Sequence, residues 1–189
     1  MLDRRDAVAR LLRERGDALV VSGLGSPTYD VAAAGDDPRN FYLWGAMGGA
    51  CMIGLGLALA RPDRRILVIT GDGEMLMGLG SLATIGVKQP PNLGIVVLDN
   101  GLYGETGLQP SHTAGPTDLV KVAAACGFAR AFEAHDEAGL HLATGWIAGD
   151  TGLYFVVVKI APAEAPRVLP LRDGVALKLR FRRAAGVDP

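Results

Sequence analysis

Two apolar, largely β-branched runs constrain this chain more than any other feature. Ile66-Leu67-Val68-Ile69-Thr70 stops on Gly71-Asp72-Gly73, and Leu93-Gly94-Ile95-Val96-Val97-Leu98 stops on Asp99-Asn100-Gly101. Short apolar runs bounded by turn residues read as strands buried on both faces. Between them, Met75 to Val87 carries Met75, Leu76, Leu79, Leu82 and Ala83 at helical spacing. Strand, helix and strand make a βαβ unit, which delivers Asp72 and Asn100 to the same edge of a parallel sheet. A carboxylate and an amide oxygen are ligands that a hard cation such as Mg²⁺ prefers. Glycines on both sides of Asp72 let backbone N–H groups approach an anion at the next helix start. A cation and an anion at one strand edge suggest a metal–diphosphate site.

The rest of the chain repeats the alternation. Asp3 to Arg15 has Ala7, Val8, Leu11 and Leu12 at helical spacing and ends at Gly16. Ala18 to Val21 reads as a short strand, and Ser26 as the cap of a helix with Pro27 at its first position. Met47 to Leu59 reads as an apolar helix, and Gly101 to Thr117 as a long polar loop of the kind that carries function. A helix over Asp118 to Cys126, a short strand over Phe128 to Phe132, a helix over Asp136 to Trp146 and a strand over Leu153 to Ile160 follow. The pattern predicts an α/β domain: a single doubly wound, mostly parallel sheet with helices on both faces. Its expected extent is residues 1–163, with 164–189 a Pro- and Arg-rich tail packed on the domain or on a partner subunit.

Composition removes several classes. With 49% hydrophobic and 21% charged residues the chain is globular, and 189 residues can bury a full core. A net charge of −1 without a basic cluster argues against nucleic acid. Cys51 and Cys126 read as buried thiols of a reducing, cytoplasmic compartment. The charged N-terminus lacks a signal peptide's apolar core. Phe41 to Ala60 is uncharged and reaches membrane-span length, but its five glycines and Arg61-Pro62 end fit a helix packed on the sheet or a subunit interface. Gly23-Leu24-Gly25 lacks the third glycine of a dinucleotide fingerprint, since position 28 is Thr28. A P-loop and a nucleophile elbow are also absent.

Gly-Asp-Gly followed by an Asn-ending doublet, 28 positions from Asp72 to Asn100, resembles the thiamine diphosphate-binding motif. Gly45-Ala46-Met47-Gly48 resembles the segment that holds the cofactor's bend. GSLATIG, DNGLYGETGLQPSHT and LPLRDGVALKLRFRR are most similar to the sulfopyruvate decarboxylase β subunits and related phosphonopyruvate decarboxylases. The resemblance implies that Asp72, the Asn100 side chain and the Leu102 carbonyl bind Mg²⁺. Gly71 and Tyr103 belong to the same cofactor-binding segments. Gly73, Glu74 and Met75 would offer N–H groups to diphosphate, joined by Gly25 and Ser26. Met47 would be the wedge between the cofactor's rings, and the Gly45 carbonyl would accept from the aminopyrimidine. Taken alone, without its neighbours, Met47 reads as an ordinary core methionine.

Glu105, Thr106 and His112 lie just past the metal motif and are candidates for contacting substrate, although Glu105 also reads as a solvated loop acid. Glu74 stands where the motif often has Ser, so its carboxylate is expected to point away from the phosphates. Asp99-Asn100 replaces the usual Asn-Asn. The glutamate that activates the cofactor belongs, in this family, to a separate pyrimidine-binding domain, and the chain reads as the diphosphate half alone. The resemblance therefore implies a hetero-oligomer with a pyrimidine-binding subunit, decarboxylating a small 2-oxo acid, 3-sulfopyruvate or 3-phosphonopyruvate. A carboligase subunit and a non-catalytic partner subunit share most of these features.

Overall fold

The computed structural model describes residues 1–149 and 152–187. Strands β1 (Leu19–Ser22), β2 (Asn40–Tyr42), β3 (Ile66–Gly71) and β4 (Leu93–Asp99) join β7 (Ala131–Ala134) and β8 (Tyr154–Lys159) in one sheet. The order is β2-β1-β3-β4-β8-β7, and every pairing is parallel. A separate two-stranded hairpin joins β5 (Leu102–Tyr103) to β6 (Gln109–Pro110). The chain leaves β1 toward β2 and then returns to place β3 on the opposite side. That reversal opens a crevice at the carboxyl ends of β1 and β3, where open α/β sheets take their ligands.

Because side chains alternate across a strand, each strand feeds two cores. On one face Val68, Ile95, Val97 and Phe155 pack under α3 (Ala50–Ala60), α5 (Ser81–Lys88) and α6 (Leu119–Ala125). On the other, Leu67, Ile69, Val96 and Val156 pack under α1 (Arg4–Arg13), α2 (Ser26–Ala33) and α7 (Glu137–Gly149). Each fully buried aliphatic chain contributes roughly 1.5–3 kcal/mol relative to exposure. The last helix, α8 (Gly174–Ala184), is capped by Asp173, whose carboxylate accepts from the N–H groups of Val175 and Ala176 at 2.9 and 3.0 Å. It lies along β2 and gives one residue to each core, Phe181 to the first and Leu177 to the second. Phe181 packs on Phe41 at 5.3 Å, Arg180 pairs with Asp36, and Trp44 donates to the Leu171 carbonyl at 3.0 Å.

Several expected boundaries move, each for a local reason. The helix expected over Met75–Val87 is two: α4 (Asp72–Met77) ends before α5 begins at Ser81. At the break the Gly78 backbone touches Gly48, where a Cβ on Gly78 would stand 2.3 Å from the Gly48 carbonyl oxygen. The apolar helix expected from Met47 starts at Ala50, because Ala46 (φ 57°) and Gly48 (φ 93°) are left-handed. Ser26 is not the cap of α2. Gly25 (φ 77°) takes that place, and Ser26 is the first helical residue. The strand expected over Phe128–Phe132 is β7, shifted toward Ala134, because the left-handed Gly127 turns Phe128 into the core instead. β2 has no expectation behind it, since its three residues are too short for a periodicity.

No helix among the described residues is long and apolar enough to cross a membrane, and α3 has 11 residues. Cys51 is buried, with its sulfur 3.7 Å from that of Met75, and burial pushes its thiol up to about 12, aided by the Glu74 charge. Cys126 is half-buried rather than buried.

Gly94 in β4 faces Tyr154 in β8, and a Cβ there would stand 2.1 Å from the ring carbon Cζ. Gly94→Ala is therefore expected to destabilise the protein by about 2 kcal/mol or more, since a buried ring on a central strand has little room to shift. Urea unfolding of the two proteins measures it.

Candidate functional site

The carboxyl ends of β1, β3 and β4 meet around a cavity of about 100 Å³. Ser26, Asp72, Asn100, Tyr103 and Glu105 contribute to its wall, as does Met47. In the β3–β4 register Gly71 pairs with Leu98, so Asp72 and Asp99 leave the sheet side by side. Both are buried. Two adjacent buried carboxylates repel unless donors hold them, and here the loop after β5 supplies the donors. Ser111 donates to Asp72 Oδ2 at 2.5 Å. Thr113 Oγ1 lies 3.2 Å from that oxygen and 2.8 Å from Asp99 Oδ1. Its single proton serves one acid at a time, while Ser111 covers Asp72. Lys159, at the end of β8, pairs with Asp99 Oδ2 at 2.8 Å. Burial pushes the Asp72 carboxyl up, with Asp99 adding to the rise and the Ser111 hydrogen bond opposing it.

Asn100 Oδ1 accepts the Leu102 N–H at 3.0 Å, which fixes the amide in a tight turn and leaves a second lone pair on that oxygen. Asp72 Oδ1 lies outside the hydroxyl contacts to Oδ2. One carboxylate, one amide oxygen and the neighbouring carbonyl of Leu102 make a hard-oxygen set well short of six. That suits a cation that arrives with phosphate and water ligands. No cluster of three or more His, Cys, Asp and Glu suited to a metal occurs among the described residues, so a closed protein cage is not on offer.

Glu74 also lines this cavity, with its carboxylate engaged by other donors. Its carboxylate accepts from the Leu24 N–H at 2.8 Å, the Thr70 hydroxyl at 3.0 Å and the Ala50 N–H at 3.3 Å. Burial pushes its carboxyl up, and these donors pull it back toward the charged form. Met75 sends its side chain into the core, which leaves only its backbone for a ligand. Gly73 is pressed by the Tyr103 ring, 2.8 Å from where a Cβ would stand.

The remaining expected residues spread around the mouth. Met47 is 38% exposed and is not a core methionine. It lines both this cavity and an apolar hollow with Met77, Leu79 and His112. Gly45 is exposed in the same loop, with open space around it. Glu105 lies over Gly25, where a Cβ would stand 2.7 Å from its Oε1, with Arg167 3.8 Å from its other oxygen. Thr106 bonds Gln109 at 3.0 Å, and His112 Nδ1 lies 2.6 Å from the Tyr103 hydroxyl on the open side. The structure thus brings Asp72, Asn100, Leu102, Tyr103, Glu105 and Thr106 to one opening, and sets His112 at its apolar margin.

Sequence reasoning missed Ser111, Thr113 and Lys159. A signal existed for the last: a lysine ends an otherwise apolar strand, as Asp99 ends its neighbour, and the two are paired in register. The hydroxyls carried no such mark, because their loop is polar throughout.

A parallel sheet whose switch-point crevice carries an Asp and an Asn on adjacent strand ends defines a cofactor-binding α/β domain. The chain belongs to the thiamine diphosphate-dependent enzymes: residues 24–158 match the family described as thiamine pyrophosphate enzyme, C-terminal TPP binding domain. Among its relatives is the sulfopyruvate decarboxylase subunit beta of Methanocaldococcus jannaschii, 44% identical over 125 residues, which are 66% of each chain. The phosphonopyruvate decarboxylase of Streptomyces viridochromogenes is 47% identical over 123 residues, 65% of this chain and 30% of that one. The fold is shared with the crystal structure of a putative thiamin diphosphate-dependent enzyme from Mycobacterium smegmatis, at a TM-score of 0.72 and 22% identity. That match covers 86% of this chain and 32% of that one. The matched stretch is thus about two thirds of the β subunit and about a third of the two longer proteins.

Gly23 has no room for a side chain, since a Cβ would stand 1.9 Å from Glu74 Oε2 and 2.6 Å from Thr70 Oγ1. Gly23→Ala is expected to dislodge that carboxylate and cost about 1–3 kcal/mol. Gly45→Ala, with nothing within 4 Å, is expected to leave the thermal midpoint unchanged. Paired thermal unfolding curves separate the two.

Proposed function

We propose that this chain is the cofactor-binding subunit of a thiamine diphosphate-dependent 2-oxo acid decarboxylase, acting on 3-sulfopyruvate or 3-phosphonopyruvate to release CO₂ and an aldehyde. The observation that carries the reading is the Asp72–Asn100 pair on adjacent strand ends, with Ser111 holding one oxygen of Asp72 and leaving the other. The names of the relatives supply the substrate class. When bound, the thiazolium ring supplies the nucleophilic carbon and accepts the electrons released as CO₂ leaves.

The chain's own residues bind and orient. Asp72, Asn100 and the Leu102 carbonyl would hold Mg²⁺, which would offset the charge of the diphosphate. The N–H groups of Gly73, Glu74 and Met75, at the open first turn of α4, face the phosphates with Gly25 and Ser26. Tyr103 packs on Gly73 and closes one side. Met47, half-exposed on a loop with left-handed residues at Ala46 and Gly48, would pack against the cofactor's rings, and the Gly45 carbonyl would accept from the aminopyrimidine. Glu105 and Thr106 stand at the mouth where a substrate carboxylate and carbonyl would enter, and His112 is carried beside them on Tyr103.

The proton chemistry at the pyrimidine belongs to a glutamate on a separate pyrimidine-binding chain. The "subunit beta" of the relatives' names favours such a partner. The exposed apolar margin of Met47, Met77 and Leu79 is a surface that a second chain could cover.

Two outcomes test this reading. Asp72→Ala is expected to abolish Mg²⁺-dependent binding of thiamine diphosphate, and an unchanged affinity by calorimetry would falsify the metal assignment. The purified chain is expected to release no CO₂ from sulfopyruvate or phosphonopyruvate until its partner is added. Robust turnover by the chain alone would sink the split site, and acyloin formation with an added aldehyde would point to a carboligase instead.

A further inference from the structure

Beside the cavity lies an arginine whose donors are unused. Arg4, at the first position of α1, has a side chain only 9% exposed. It and Arg5 both approach Asp30, whose side chain is fully buried in α2. Arg5 makes the aligned bond, Nε to Asp30 Oδ1 at 2.8 Å, and its Nη2 donates to the Pro166 carbonyl. Arg4 does neither. Its Nε lies 3.1 Å from Asp30 Oδ2, but the alignment is too poor for a hydrogen bond, and both atoms are left without one. Its Nε is buried without a hydrogen bond, and its Nη groups make none among the described residues, whereas buried polar groups are nearly always paired. Two arginines on one carboxylate also leave one positive charge over, with Arg5 a quarter exposed and Arg4 the more buried of the two.

The position of Arg4 says what could use those donors. It lines the cavity described above and a second one of about 90 Å³ behind it. Ser26, Asn100 and Glu105 line both as well, so Arg4 stands in a wall common to the two. Glu105 has Arg167 for a counterion and makes no ion pair with Arg4. A planar fork of donors, charged and desolvated, is built for phosphate oxygens. We infer that Arg4 donates to the outermost phosphate of the cofactor's diphosphate. Asp30 and Arg5 hold α1 against α2 and so aim the guanidinium. The inference rests on the thiamine diphosphate reading of the cavity and adds a residue to it from outside the matched family region, which begins at residue 24.

The test compares ligands that differ by that one phosphate. Thiamine diphosphate and thiamine monophosphate are titrated calorimetrically, with Mg²⁺, into the full chain and into Arg4→Gln, Arg4→Lys and Arg5→Gln, with a thermal midpoint for each. Arg4→Gln is expected to weaken the diphosphate roughly ten- to hundredfold, the range of a lost charged hydrogen bond, and to leave the monophosphate nearly unchanged. Arg4→Lys, which keeps the charge and fold without the fork, is expected to fall between. Arg5→Gln is expected to lower the thermal midpoint and keep the preference for diphosphate. If Arg4→Gln and Arg4→Lys keep the wild-type preference, or lose both ligands alike, the inference is overturned and the cofactor reading stands. If the wild-type chain binds neither ligand with Mg²⁺, alone or with its partner subunit present, the cofactor reading falls and takes this inference with it.

Discussion

A single buried carboxylate, that of Glu74, joins the three segments from which the site is built. It accepts from Leu24 in the loop after β1, from Thr70 at the end of β3 and from Ala50 at the start of α3. Burying an unpaired carboxylate costs several kcal/mol, and hydrogen bonds from three donors offset most of that. The cost is local, while the benefit is shared by three segments. Gly23 must stay bare to let the carboxylate in. The oxygens of this acid are taken up by those donors.

The same logic governs the strand ends. Asp72 and Asp99 emerge side by side because the β3–β4 register places them so. A parallel ladder cannot separate them, so the charge has to be managed by what comes later in the chain. Ser111 and Thr113, just past the second strand of the hairpin, meet both acids, and Lys159 closes the row from β8. The result grades the two carboxylates: Asp99 has Lys159 as its ion-pair partner, whereas Asp72 is held by hydroxyls and the Gly73 N–H. Of the pair, Asp72 is therefore the one with negative charge still available to a cation. The Asp found where the family has Asn is thus accommodated by a lysine one strand away.

Much of this was legible in the sequence, and what was not has a physical pattern. The long buried strands announced themselves, because β3, β4 and β8 are covered on both faces and leave uninterrupted apolar runs. Strand ends carrying Asp72 and Asn100 then fixed where ligands go. Backbone contact between distant glycines left no trace, so the Gly48–Gly78 approach that splits α4 from α5 read as one helix. The left-handed Ala46 was equally invisible, since alanine carries no expectation of that conformation. Ser111 and Thr113 matter only through the fold of a loop, and hydroxyls in polar loops are unremarkable. Arg4 looked like one more charge on an amphipathic helix. Its burial depends on α2 bringing Asp30 beneath it, a tertiary fact that no local window holds.

The way α8 meets the sheet has a bearing on how this chain can join others. The sheet has two free margins, both short: β2 with three residues and β7 with four. By giving Phe181 to one core and Leu177 to the other, α8 wraps the β2 margin from both sides. β7 carries Glu133, half of an ion pair with His135, on its own margin. Neither offers an added strand a long, flat, apolar row of backbone donors and acceptors. Sheet continuation is therefore a poor route to assembly, and any stable neighbour must seat itself on helix faces and on the loops that rim the cofactor cavity.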